Sequence, residues 1–210
     1  WELWKRTYVT YRGRNLRSPV SKADDELIAD CLNGQTQAFG TLVVRYQNRL
    51  FHSLAQVLGS AEDARDVAQE TFVHAFQKLH TFRGESAFYS WLYRIALNTS
   101  VTLHRRKPVK AASLELARER AGVEPSDHRP SSQPDYALET SEKQQMVRTA
   151  LASITEEFRT VLILKEVENL KYDEIAEIIG CPIGTVRSRI HRARLDLRDK
   201  LELLMRQQDR

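Results

Sequence analysis

Apolar residues recur at helical spacing through most of the chain. Leu27, Ile28, Cys31 and Leu32 share one face of a helix predicted over Asp24–Asn33. Asp24, Asp25 and Glu26 fall in its first turn, where acids suit the positive end of the helix dipole. Gly34 ends it. Phe39, Leu42, Val43, Tyr46, Leu50, Leu54 and Val57 keep the same period over Thr36–Leu58. Gly59 stops that helix, and Ser60 suits the N-cap of a third, with Asp63 near a capping-box position. The third helix, Ala61–Leu79, buries Ala64, Val67, Ala68, Thr71, Phe72, Ala75 and Leu79. After a Gly-containing loop, Thr81–Ser86, a fourth runs from Ala87 to about Arg106 with Phe88, Trp91, Leu92, Ile95 and Ala96 inward. Its remaining faces receive Tyr89, Tyr93, Arg94, Asn98 and Thr99.

The pattern then breaks. From Val109 to about Ser141 the chain is rich in Pro, Ser, Asp and Glu and poor in large apolar residues, the composition of an extended linker. A short helix over Leu114–Ala121 is compatible with the spacing. Periodicity resumes with Met146, Val147, Ala150, Leu151 and Ile154, then with Phe158, Val161, Leu162 and Leu164 behind a Thr155 cap. In Tyr172–Arg198, Ile175, Ala176 and Ile179 make a short helix. Gly180-Cys181-Pro182 interrupts it, with Gly suited to a left-handed stop and Pro to a new first turn. Val186, Ile190, Ala193, Leu197, Leu201 and Leu204 then form one stripe on a long helix. Helix, tight turn and basic second helix make a helix-turn-helix, the pattern that enters the major groove of DNA. The fold class expected is all-α, in two helical domains joined by a long polar linker. The divisions are an arm over 1–22, a domain over 23–107, the linker over 108–140 and a second domain over 141–210.

Composition changes this picture little. The 210 residues carry a net charge of +4, which favours a polyanionic partner only weakly. Cys31 and Cys181 make neither a metal-ligand spacing nor a disulfide framework, so a reducing compartment is expected. No apolar run approaches the ~20 residues of a membrane span, and the basic, aromatic start lacks the apolar stretch of a signal peptide. A cytoplasmic location follows as the expectation. The six histidines are scattered, and no nucleophile elbow, phosphate loop or metal motif is present. The chain is expected not to be an enzyme and to need no cofactor or metal.

Candidate chemistry lies on three surfaces. On the long C-terminal helix, the arc opposite the stripe carries Thr185, Ser188, His191 and Arg192, flanked by Arg187 and Arg189. Arginine can take guanine bidentately, while Ser and Thr more often hold phosphate. The third helix shows Asp63, Asp66, Gln69 and Glu70, which composition alone reads as a solvated face. The fourth helix mixes aromatics with Arg94, Asn98, Arg105 and Arg106. That mixture suits unpaired nucleic acid, but it equally suits a core helix with a snorkelling basic end.

Four segments carry a family resemblance. They are Asp66-Val67-Ala68-Gln69-Glu70-Thr71-Phe72, Phe82 through Thr99, Tyr172-Asp173-Glu174-Ile175-Ala176, and Cys181 through Arg189. Together they resemble the extracytoplasmic-function (ECF, group IV) bacterial sigma factors, most of all the envelope-stress sigma-E subgroup. The resemblance covers about residues 24–205. It implies a promoter-specificity subunit of RNA polymerase, active in extracytoplasmic or stress responses. It implies that Asp63, Asp66, Gln69 and Glu70 bind the β′ clamp helices of core polymerase, which replaces the solvated-face reading. It implies that Phe82, Arg83, Ala87, Phe88, Trp91, Arg94, Asn98, Arg105 and Arg106 open and hold the −10 element as a single strand. Asn98 matches a position touching a flipped base. Thr185, Arg187, Ser188, Arg189, His191 and Arg192 then read the −35 duplex, with the polymerase β flap as a further partner. An anti-sigma factor is implied as a regulator.

Two features depart from the family pattern. The N-terminal arm has no recognised counterpart, and His191 stands where close relatives have an aromatic ring. Two other functions share parts of the sequence. A stand-alone helix-turn-helix regulator would bind duplex DNA without polymerase. A protein-only adaptor would be indifferent to loss of Arg187 or Arg192.

Overall fold

The computed structural model describes residues 23–118 and 136–208, and its helices start and stop where local chemistry demands. Helix α1 (Asp24–Leu32) carries its three acids in the first turn. Helix α2 (Gln37–Leu58) ends on Gly59, whose φ of 72° lies in the left-handed region that a side chain disfavours. Ser60 then caps α3 (Ala61–Gln77), its Oγ accepting the Asp63 N–H at 3.2 Å. Periodicity carried this helix to Leu79. Instead a 3-10 turn, Leu79–Thr81, closes it, with Thr81 Oγ1 donating to the Lys78 carbonyl.

The larger departure is α4 (Phe88–Arg118), which continues beyond Arg106 and through Pro108. Proline removes one N–H donor and crowds the carbonyl four residues back, a cost of about 3 kcal/mol. The segment Lys110-Ala111-Ala112-Ser113-Leu114-Glu115-Leu116-Ala117 is rich in strong helix formers, which oppose that cost. The backbone over 109–113 is therefore helical where an extended linker was expected, and the helix takes in the 114–118 part of the short helix compatible with the spacing. Residues 119–135 of that linker, with the arm over 1–22, lie outside the described residues. Helix α5 (Tyr136–Ser153) begins ahead of the expected Thr140.

In the first domain α1 packs on α2, α2 on α3, and α3 on α4. Leu42, Leu50, Leu54, Leu92 and Tyr93 are its fully buried centre. In the second, α5, α6 (Glu156–Leu162) and α7 (Tyr172–Ile179) pack on α8 (Ile183–Gln208) around Leu162, Ile163, Leu164, Ile175 and Ile190. A π turn, Ile163–Val167, follows α6. The domains touch: α4 packs on α7, and α2 meets α6 and the π turn.

That contact explains a second departure. Tyr89, Tyr93 and Thr99 fall outside the inward set that the spacing predicts for α4, yet they are buried. Helix α4 is covered by α3 on one side and α7 on another, so its buried arc is wider than one stripe. The polar atoms of Tyr93 and Thr99 find partners inside, whereas the buried Tyr89 hydroxyl has no hydrogen-bond partner. Tyr93 Oη and Ser53 Oγ lie 2.8 Å apart. Thr99 Oγ1 lies 3.2 Å from His74 Nδ1.

Candidate nucleic-acid interface and the domain junction

The helix-turn-helix is built from a few local bonds. The Glu174 carboxylate accepts the Lys171 N–H at 2.7 Å and ties down the start of α7. Gly180 has φ 72°, and its N–H and that of Cys181 both reach the Ala176 carbonyl. The Pro182 carbonyl accepts the Thr185 and Val186 N–H groups, which launches α8. Val186, Ile190, Ala193 and Leu197 are buried, as the stripe predicts. The opposite arc therefore faces outward: Arg187, Ser188, His191 and Arg192 are exposed, and Thr185 is half-buried. Ser188 Oγ donates to the Thr185 carbonyl at 2.9 Å. The Arg187 guanidinium lies 6.0 Å from the Tyr172 ring centre. Arg189 differs. It is half-buried, pairs with Glu157, and sets Nη1 3.7 Å from Cys181 Sγ. An outward cationic arc near a helix N-terminus can meet phosphates and base edges in a major groove.

In the first domain, Phe82 meets the edges of Phe88 and Trp91 at 5.7 and 5.4 Å between ring centres. Phe88 and Trp91 are buried, so they form the wall behind the loop rather than its free face. Arg83, Ala87, Arg94 and Asn98 are exposed, with Arg94 and Asn98 one turn apart on α4. The side chains of Arg105 and Arg106 lie outside those described. On α3, Asp66 and Gln69 are exposed, while Asp63 and Glu70 are half-buried. Glu70 Oε1 lies 3.8 Å from His74 Nε2. Val73 and Phe76 extend the same helix as exposed apolar residues, with Phe76 set edge-on against Phe39.

Sequence reasoning missed the junction between the domains. Glu168, just past the π turn, is only 6% exposed. Its carboxylate accepts the Arg49 Nε–H at 2.6 Å, and its carbonyl accepts Nη2 at 3.4 Å. The Arg49 guanidinium rests 3.8 Å from the centre of the Tyr89 ring, which stacks on Tyr46. Tyr46 in turn hydrogen-bonds Asp24, which pairs with Arg45. Burial is the largest influence on Arg49 and lowers its pKa; the Glu168 carboxylate, together with Tyr89 and Tyr46, more than offsets it and raises the guanidinium above its ordinary value. Burial also pushes the Tyr89 phenol well up, with Glu168 adding to it. On the other side Arg159 places Nη1 beside Gly59, and burial lowers its pKa. Glutamate is seldom so buried without a partner, and here that partner stands 119 positions away. No local pattern could have found it.

Among the described residues no cluster of His, Cys, Asp and Glu is placed to hold a metal ion. No described helix is long and apolar enough to cross a membrane.

Both domains match known families. Sigma-70 region 2 matches residues 42–108, and Sigma-70 region 4 matches residues 144–197. The chain is 38% identical to the RNA polymerase sigma-H factor of Pseudomonas aeruginosa over 194 residues, 90% of this chain and 98% of that one. It is 39% identical to the ECF RNA polymerase sigma-E factor of Haemophilus influenzae, over 87% of this chain and 97% of that one. The chain belongs to the ECF sigma factors. As such it directs RNA polymerase to promoters for transcription initiation, and the stand-alone regulator reading is not favoured. Two solved structures share the fold. CnrH in complex with the cytosolic domain of CnrY is 26% identical with a TM-score of 0.59, covering 87% of this chain and 99% of that one. RpoE of Bartonella quintana, in complex with the anti-sigma factor NepR, has a TM-score of 0.60 at 24% identity, covering 78% and 96%. In this sigma factor the aromatic wall and Asn98 lie within region 2, and the outward arc of α8 lies within region 4.

Proposed function

We propose that this sigma factor brings core RNA polymerase to a promoter of two elements and divides the work between its domains. Region 4 reads the −35 duplex through Thr185, Arg187, Ser188, His191 and Arg192. Arg189 has a lesser part, because it is engaged with Glu157. Region 2 takes an unpaired −10 base beside Asn98, with Arg83 and Arg94 following phosphate and Phe82, Phe88 and Trp91 holding the loop in place. Arg105 and Arg106 continue the basic track. Asp63, Asp66, Gln69 and Glu70 dock on the β′ clamp helices, and region 4 also meets the β flap. An anti-sigma factor holds the protein inactive in the cytoplasm until an extracytoplasmic or stress signal arrives. The RpoE structure of Bartonella quintana, solved with the anti-sigma factor NepR, supports that last element.

The observation that carries the reading is the sorting of α8. Its apolar stripe is buried while Arg187, Ser188, His191 and Arg192 face out together. The test is reconstitution with core polymerase on promoters selected by the holoenzyme. Open complexes that depend on this chain are expected. Their absence at every selected promoter would overturn the proposal.

A further inference from the structure

Two of the proposed surfaces lie on neighbouring helices, and one side chain joins them. Helix α3 packs on α4. Leu92, Ala96 and Thr99 share one stripe of α4 and are buried, Leu92 and Ala96 completely. Apolar burial keeps that stripe inward but is non-directional, so it sets the rotation of α4 about its axis only loosely. A hydrogen bond at the end of the stripe is directional. The neighbouring hydroxyls of Ser100 and Thr102 donate to the Leu97 and Asn98 carbonyls of their own helix. Thr99 reaches across to α3 instead, its Oγ1 3.2 Å from His74 Nδ1.

The far nitrogen of the same ring faces the other way. His74 Nε2 lies 3.8 Å from Oε1 of Glu70, one turn back on α3. Glu70 belongs to the face proposed for polymerase, and Thr99 directly follows Asn98. The half-buried imidazole thus has a neighbour at each nitrogen, and that fixes its orientation between the helices. The consequence for Asn98 is geometric. A side-chain tip stands about 5–6 Å from a helix axis, so turning α4 by about 10° would carry the Asn98 amide about 1 Å. That exceeds the spread of about 0.5 Å over which a hydrogen bond holds.

We infer that His74 is a positioning residue for promoter opening: through Thr99 it fixes the rotation of α4 on α3 and so aims Asn98 at the unpaired −10 base. The inference rests on the −10 reading above, in which Asn98 holds that base.

A double-mutant cycle tests it, with the full chain assembled on core polymerase at a selected promoter. His74→Ala should lower open-complex formation about 2–10-fold, the worth of one hydrogen bond, with affinity for core unchanged. In the Asn98→Ala background the same substitution should cost nothing further, because its effect passes through Asn98. His74→Asn places an amide nitrogen where Nδ1 stood and should restore most of the opening. His74→Gln places its amide where Nε2 stood, away from Thr99, and should not. A merely structural histidine would give additive losses in the cycle and equal opening with Asn and Gln; either result overturns the inference. Full opening by His74→Ala overturns it as well, as does an equal loss of core binding. Should His74→Ala fail to fold, Thr99→Val removes the hydroxyl alone and should show the same loss and the same non-additivity. If Asn98→Ala itself leaves opening intact, the −10 reading fails and the inference falls with it. If Asn98→Ala impairs opening and His74→Ala still adds its full loss, only the inference falls.

Discussion

Asn98→Ala separates the proposed opening role from folding and from polymerase binding. Asn98 is exposed on α4, between half-buried Leu97 and buried Thr99. The nearby Thr102 hydroxyl donates to the backbone carbonyl of Asn98 at 2.9 Å, and the substitution leaves that bond in place. Alanine is the better helix former, so folding stability should change by no more than about 0.5 kcal/mol. The loss falls on DNA. An amide that pairs a base edge contributes about 1–3 kcal/mol of discrimination. That corresponds to roughly 5–150-fold in open-complex formation. The proposed polymerase surface is on α3, so affinity for core should be unchanged. Permanganate reactivity of −10 thymines reports opening, and fluorescence anisotropy with labelled sigma reports core binding. Trp91→Ala makes the contrast: that ring is buried, and its loss should cost about 3–5 kcal/mol of stability. Equal losses of opening and core binding by Asn98→Ala, or full retention of opening, would refute the assignment.

Other consequences can be measured independently. Tyr93→Phe leaves the buried Ser53 hydroxyl without its partner, and urea unfolding should show a loss of about 1–3 kcal/mol. Arg192→Ala should weaken holoenzyme binding at the −35 element and flatten its salt dependence by about one unit of slope. Arg189→Ala should do so less, because its guanidinium already pairs with Glu157. Burial raises the Cys31 thiol above its ordinary pKa, which leaves less of the reactive thiolate at neutral pH. Iodoacetamide should therefore modify half-exposed Cys181 first, and Cys31 labelling should accelerate as pH rises toward its raised pKa.

What the sequence determined by itself is what local periodicity and punctuation encode. Helix spacing, the Ser60 cap and the Gly180 stop are short-range properties of the backbone, so most of the helices and the helix-turn-helix could be read directly. The buried stripe of α8 followed from one period, and its outward arc followed from the stripe. The motifs around Gln69, Asn98 and Thr185 pointed to the family for the same reason: each is a contiguous run. The end of α4 is not legible in the sequence, because Pro108 and the polar composition around it mask the helix formers that follow.

Only the tertiary structure decided which polar groups would be spent inside the protein. Tyr89 and Tyr93 became core residues when α4 was covered by two neighbours instead of one. Arg189 is half-buried rather than fully outward because Glu157, on another helix, lies within reach. Arg49 and Glu168 found each other across 119 positions. Electrostatic pairing depends on distance through space, and desolvation on what surrounds a group. Neither quantity is written in the order of residues along the chain.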